Sequence, residues 1–256
     1  MSVSAASYPD LRERGVLVSG GGSGIGAALV EAFARQGARV AFFDIAEAAS
    51  RDLARRLATE VLHSPRYFEV DVRDIDAYKA AIAEALAVTG PVKVLVNNAA
   101  RDDRHELAEL TPGDWDESQA VNLRHVFFAT QAVVPAMQAA GGGSIINFAS
   151  IAYLLNMGEL PAYATAKAGI VGLTKSLAGR LGPDNIRVNA ILPGMVLTER
   201  QLRLWVDEAA IASMVKQQCL KRSLSPQDIV GPCLFLASEA SASITAQSII
   251  VDGGVL

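Results

Sequence analysis

Short apolar runs alternate with longer stretches whose apolar residues recur at helical spacing, and the alternation runs along nearly the whole chain. Residues 16–18 read as a strand, followed by a glycine cluster and a helix over about 25–36, with Gly37 where a helix C-terminal cap belongs. The same reading gives strands over 39–45, 67–72, 91–96, 144–148 and 186–192, and residues 248–251 can add a seventh. Helices are expected over 51–62, 75–88 and 162–181, and one long helix over 115–139. The strands are apolar on both faces, which suits a parallel sheet covered by helices on both sides. The expected fold is therefore α/β and doubly wound, with residues 1–256 forming a single domain. Ligands of such a sheet bind outside the carboxyl ends of its strands, so the candidate chemistry belongs in the loops that follow them.

Composition narrows the function classes. With 51% hydrophobic and 20% charged residues, the chain can build a large core and is not disordered. The formal net charge of −4 comes with no basic stripe, which argues against a nucleic-acid partner. The apolar residues are dispersed, and no uninterrupted run reaches the ~18 residues of a membrane helix. Residues 1–14 hold no apolar leader segment, so the expected location is the cytoplasm. Cys219 and Cys233 read as free buried thiols, and His63, His105 and His125 show no metal-ligand spacing, so no metal site is expected.

Three features carry chemistry. The loop after the first strand runs from Ser19 to Gly26 and contains Gly20, Ser23, Gly24, Ile25 and Gly26. Glycines let backbone approach a pyrophosphate, and the helix that opens there offers free N–H groups and its positive end. The bland alternative is a tight turn without a ligand. Asp44 ends the second strand, 18 residues after Gly26. A carboxylate there accepts hydrogen bonds from an adenosine ribose and repels a 2′-phosphate, which favours NAD over NADP. The alternative is that Asp44 merely caps the next helix. Tyr163 and Lys167 stand four apart, on one helix face, and an ammonium beside a phenol favours the phenolate. Ser150 precedes Tyr163 by 13 residues, at the end of the fifth strand.

Taken in order, these segments resemble the short-chain dehydrogenase/reductases across nearly the whole chain. The glycine loop is similar to their TGxxxGxG, with Ser19 for the first Thr. Asp71 and Val72 match their DV element, whose Asp contacts adenine. Asn97-Asn98-Ala99-Ala100 looks like NNAG, with Ala100 for Gly. Asn122, Ser150, Tyr163 and Lys167 match their catalytic tetrad. Pro193, Gly194, Val196 and Thr198 fall in a PGxxxT-like loop that holds the nicotinamide amide, and residues 251–254 resemble the closing DGG segment. The resemblance implies a Rossmann-like fold and NAD as cofactor. It also implies a reaction in which Tyr163 takes a hydroxyl proton while hydride leaves for the nicotinamide. Lys167 would hold the nicotinamide ribose and lower the Tyr163 pKa, Ser150 would orient the reacting oxygen, and Asn122 would anchor a water relay. It further implies a homotetramer with interfaces on the helices at 115–139 and 162–181.

The substrate is read from fewer residues. Residues 101–105 are five consecutive polar or charged side chains, which suits a polyhydroxylated substrate, and Asp102, Arg104 and His105 are the candidates there. Residues 150–160 are expected to line another wall, with Asn156 and Glu159 as hydroxyl partners, and residues 199–218 to form a lid. Trp205 and Met214 read as packing residues of that lid. Segments 102–105, 122–125 and 218–221 are similar to bacterial NAD-dependent aldose 1-dehydrogenases of the D-xylose dehydrogenase type. That similarity implies oxidation of an anomeric hydroxyl to the lactone. The alternatives are a dehydrogenase of a deoxy-sugar acid or polyol, and a 3-oxoacyl thioester reductase. A dinucleotide-binding sensor would have no need of Tyr163, Lys167 and Ser150 together.

Overall fold

Alternate side chains of strand β1 (Gly15–Ser19) enter two different cores. Val16 and Val18 pack on one face of the sheet with Leu29 and Phe33, whereas Leu17 packs on the other with Tyr78 and Ile82. Burial on both faces is why the strand is apolar from Val16 to Val18. The structure is a computed structural model that describes residues 6–256. Residues 1–5, on which part of the leader reading rests, lie outside the described residues.

The chain continues through α1 (Gly24–Arg35), β2 (Arg39–Asp44), α2 (Glu47–Leu57), β3 (Arg66–Glu69), α3 (Ile75–Thr89) and β4 (Val92–Asn97). The second half holds α4 (Pro112–Gln119), α5 (His125–Ala139), β5 (Gly143–Phe148), α6 (Pro161–Leu181) and β6 (Ile186–Pro193). It ends with α7 (Glu199–Leu204), α8 (Glu208–Gln217), α9 (Pro226–Ala237) and β7 (Ser248–Val251). All seven strands pair in parallel, in the order β3-β2-β1-β4-β5-β6-β7. The chain reverses direction across the sheet between β1 and β4, and a crevice opens there at the carboxyl ends. Gly37 follows α1 with φ +80, the left-handed conformation expected of a helix-terminating glycine.

Three expectations need correction. The helix expected over 115–139 is broken: α4 and α5 are joined by a single π-helical segment at Ala120–Arg124. A period analysis cannot see one extra residue in a helical turn, because the apolar pattern resumes after it. Helix α9 was not expected, since Gly231 and Pro232 blur its signal. It starts where Asp228 accepts the Ser225 backbone N–H at 2.8 Å, and it packs Ile229, Cys233 and Leu234 against α1 residues such as Leu29 and Phe33. Both cysteines are free, but Cys219 is exposed rather than buried. No described helix is long and apolar enough to cross a membrane, and no three described His, Cys, Asp or Glu side chains group as a metal site.

Candidate active site

The crevice begins at the glycine loop. Gly20 and Gly24 have φ of +66 and +53, which L side chains rarely adopt. A Cβ on Gly26 would stand 1.7 Å from the Gly20 carbonyl oxygen, so no other residue fits there. Ser19 ties this loop to the end of β4. Its hydroxyl oxygen accepts the backbone N–H groups of Asn98 (3.0 Å) and Ala99 (3.1 Å). The Asn98 side chain returns the bond, donating to the carbonyls of Ser19 and Gly20. Asp44 accepts the Gly22 N–H on one carboxylate oxygen and the Ala46 N–H on the other, both at 2.8 Å. It therefore caps the turn before α2 and also faces the crevice, beside Asp71 and Val72. Asp71 is held by the Arg73 guanidinium, which keeps its carboxyl below the usual range. Ser23, Ile25, Gly26, Asn98, Ala99 and Thr198 line the same cleft, and Pro193, Gly194 and Val196 line its continuation. Gly24 lines neither, but its Cα region abuts Thr198.

The continuation leads to Ser150, Tyr163 and Lys167, which all line one pocket. Ser150 caps the short turn after β5, accepting the Ala152 N–H at 3.1 Å. Helix α6 begins at Pro161 and places Tyr163 and Lys167 one turn apart. The Lys167 ammonium is buried, donates to the Phe148 carbonyl at 2.8 Å and stands 5.5 Å from the centre of the Tyr163 ring. Burial lowers the Lys167 pKa to about 7. Burial and the charge of Asp102 push the Tyr163 phenol above its ordinary value, against a hydrogen bond with Ser150 that works the other way. The lowered tyrosine pKa expected from the sequence is thus reversed. A lysine itself starved of solvent offers less charge than one in water.

Asn122 occupies the π-helical segment and is fully buried. Its side-chain oxygen accepts the Arg101 N–H at 2.8 Å, and its amide donates to the Arg101 carbonyl at 2.9 Å. Both polar ends are spent on pinning the loop after β4. One turn on, His125 is also fully buried, with Nε2 at 3.1 Å from the Ala99 carbonyl. Burial drops its pKa to about 3, so the ring is neutral and Nε2–H donates.

The far wall comes from that loop and from α7. Asp102 and Arg104 line the pocket, together with Gln201. Gln201 Nε2 donates to Asp102 at 2.6 Å, and Arg200 reaches Asp102 (3.5 Å) and Asp103 (3.3 Å). Arg101 pairs with Asp103 and with Glu117. Arg104 stacks 5.0 Å from the centre of the Trp205 ring and pairs with Glu159 at 3.4 Å. The opposite wall is apolar, with Leu155, Met157, Leu160, Val206 and Met214.

Residues 20–256 match the family model described as enoyl-(acyl carrier protein) reductase. The chain belongs to the short-chain dehydrogenase/reductases. It is 64% identical over 255 residues to a protein of Rhizobium meliloti (strain 1021) named as a probable galactose dehydrogenase, covering 100% of both chains. It is 47% identical to D-xylose 1-dehydrogenase of Caulobacter vibrioides, covering 98% of this chain and 99% of the other. A crystal structure from Sinorhizobium meliloti 1021, provisionally named a short-chain alcohol dehydrogenase, superposes with a TM-score of 0.91 at 31% identity. That match covers 97% of this chain and 98% of the other.

Within this short-chain dehydrogenase/reductase site, three expected substrate residues fall away. Asn156 is exposed, and neither it nor His105 or Glu159 lines the pocket. Glu159 is instead engaged with Arg104, and its carbonyl accepts the His105 N–H at 2.9 Å. Met214, read as packing, lines the pocket, whereas Trp205 lies behind Arg104. Gln201 and His125 were missed as site residues. Gln201 had no neighbour in sequence to announce it, because its partner Asp102 is 99 residues away.

Proposed function

We propose that the protein is an NAD-dependent dehydrogenase that oxidises the anomeric hydroxyl of an aldose to the lactone. The observation that carries this reading is one pocket holding Ser150, Tyr163 and Lys167, continuous with a glycine cradle whose free space only glycines leave. That cradle, with Asp44, Asn98 and Thr198, fits a nicotinamide dinucleotide. When bound, such a cofactor supplies the hydride acceptor. Asp44 supports NAD, since a carboxylate repels a 2′-phosphate. Arg51, one helical turn into α2, is spent on Glu47 at 2.8 Å. Ser150 orients the reacting oxygen by hydrogen bonding. Tyr163 takes the hydroxyl proton as the phenolate, a form that the cationic ring of a bound nicotinamide would favour against the burial that raises its pKa, and Lys167 holds the cofactor ribose. Asn122 fixes the loop that shapes the pocket through its two bonds to Arg101.

The pocket suits a pyranose, which has a hydroxyl edge and a C–H face. Asp102, Arg104 and Gln201 meet the edge, and Leu155, Met157 and Met214 meet the face. The relatives named for galactose and D-xylose support the same class. We also infer that the chain acts as one domain in the cytoplasm and assembles as a homotetramer. The outer surfaces of α5 and α6 leave Phe127 exposed beside Leu123, Phe128 and Leu173. Ile250 and Leu256 are exposed apolar side chains as well. Mass in solution tests the assembly, and a monomer would refute it. The activity is tested by NADH formation across aldopyranoses, with NADP in parallel. Lactone formation that strongly favours NAD supports the reading, and inertness on every sugar removes it.

A further inference from the structure

Asp102 has a place in the pocket that no other residue shares. Of the residues that line both the dinucleotide cleft and the substrate pocket, it alone is charged. It is also the one carboxylate among the described residues of the substrate pocket. Its side chain is 19% exposed. Both carboxylate oxygens are met from α7, Oδ2 by Gln201 and Oδ1 by Arg200. The other charges around it are largely engaged elsewhere. On its own loop, Arg101 pairs with Asp103 and Glu117 of α4, and Arg104 pairs with Glu159 and stacks on Trp205. From α6, Tyr163 and Lys167 face it, and its negative charge bears on the titration of both.

A carboxylate offers about four acceptor sites; Gln201 fills one by a hydrogen bond, and Arg200 adds a long ion pair at 3.5 Å. Desolvated acceptor capacity turned toward a pocket selects a ligand that brings a donor. The geometry limits which donor. The reacting oxygen must sit within hydrogen-bond reach of Tyr163. A hydroxyl on the carbon beside the one that bears that oxygen, on the side shared with the dinucleotide cleft, would bring such a donor. The wall made by Leu155, Met157 and Leu160 offers that hydroxyl no side-chain acceptor. We infer that Asp102 makes the site specific for vicinal diols, accepting a hydrogen bond from the hydroxyl on the carbon beside the one oxidised. In an aldose that group is the 2-hydroxyl. The inference rests on the dehydrogenase reading above and sharpens it, since it excludes isolated secondary alcohols that would fill the apolar wall equally well.

The test measures kcat and KM separately for the wild type and Asp102→Ala, on two matched pairs. One pair is an aldose and its 2-deoxy counterpart; the other is butane-2,3-diol and butan-2-ol. Sites built around a substrate hydroxyl reject analogues that lack it by up to ~10⁴–10⁵-fold, and with Gln201 and Arg200 still holding the carboxylate we expect roughly 10²-fold in kcat/KM. In Asp102→Ala the diol member of each pair loses that advantage, mainly through KM, while the deoxy member stays within a few-fold of wild type. Asp102→Asn, which keeps an acceptor oxygen without the charge, falls between them and serves if the alanine variant melts early. Equal losses on both members of a pair overturn the inference, as does a wild type indifferent to the missing hydroxyl. A wild type that prefers the diol but oxidises no aldose removes the aldose reading and leaves this one standing. A wild type inert on all four removes both.

Discussion

The two halves of the site are built by different means. The dinucleotide side is made of backbone: glycines with left-handed φ, the Ser19 hydroxyl gathering two amides, and Asp44 capping its own loop. The substrate side is made of side chains that meet from distant segments, such as Asp102 with Gln201 and Arg104 with Glu159. Backbone construction tolerates almost no substitution, because each position is set by shape. Side-chain construction tolerates exchange, because a new pair can replace an old one. One chain thus keeps a fixed cofactor while its substrate wall stays adjustable.

The largest effect that tests this contrast lies where the halves meet. Tyr163→Phe should lower kcat by roughly 10²–10⁴-fold, the range of general-base assistance, with dinucleotide binding by fluorescence unchanged. Loss of binding with turnover intact would break the assignment. Next in size is Gly26→Ala. Its methyl would meet the Gly20 carbonyl, and overpacking of this kind costs about 1–3 kcal/mol. Denaturant unfolding should show that loss, and the cofactor KM should rise whatever the sugar. An unchanged cofactor KM would mean the loop adapts and the contrast is overstated.

An effect absent at neutral pH and growing only in acid concerns His125, which braces the dinucleotide side from behind. Folding lowers its pKa from 6.5 to about 3. Between those values the unfolded chain binds the extra proton, so stability falls as pH drops through that window. His125→Gln keeps a donor toward the Ala99 carbonyl and should flatten the acid slope of the unfolding midpoint between pH 4 and 7. An unaltered slope would assign the acid sensitivity elsewhere. The smallest effect is Arg104→Ala, in the substrate pocket alone. Its ion pair with Glu159 is partly exposed, at 31% of the arginine side chain, and such pairs are worth about 0.2–1 kcal/mol. Sugar KM should rise about two- to fivefold with cofactor KM constant. A shift in both constants together would dissolve the division between the halves.

The same division decided what the sequence could say. The strands and most helices were legible because burial on two faces leaves uninterrupted apolar runs, as at Val16–Leu17–Val18. Gly20, Gly24, Gly26, Asp44 and the Tyr163–Lys167 spacing were legible because each acts within one loop or one helix turn. His105, Asn156 and Glu159 were polar residues near the site in sequence, and proximity in sequence does not determine which way a loop turns. Gln201 and Met214 were invisible for the converse reason, since tertiary packing alone brings them to the pocket. The direction of the Tyr163 pKa depended on how deeply both partners lie, which spacing does not encode.

The π-helical segment at Ala120–Arg124 has a consequence for how such a chain can change. A helix carrying one surplus residue is a register store. Deleting one residue between Ala120 and Arg124 would restore ordinary α-helical winding with α4 and α5 keeping their faces, but it would collapse the wide turn itself. Asn122 sits inside that turn, so its two bonds to Arg101 would be lost with it. Length variation is therefore barred here even though the segment looks like plain helix.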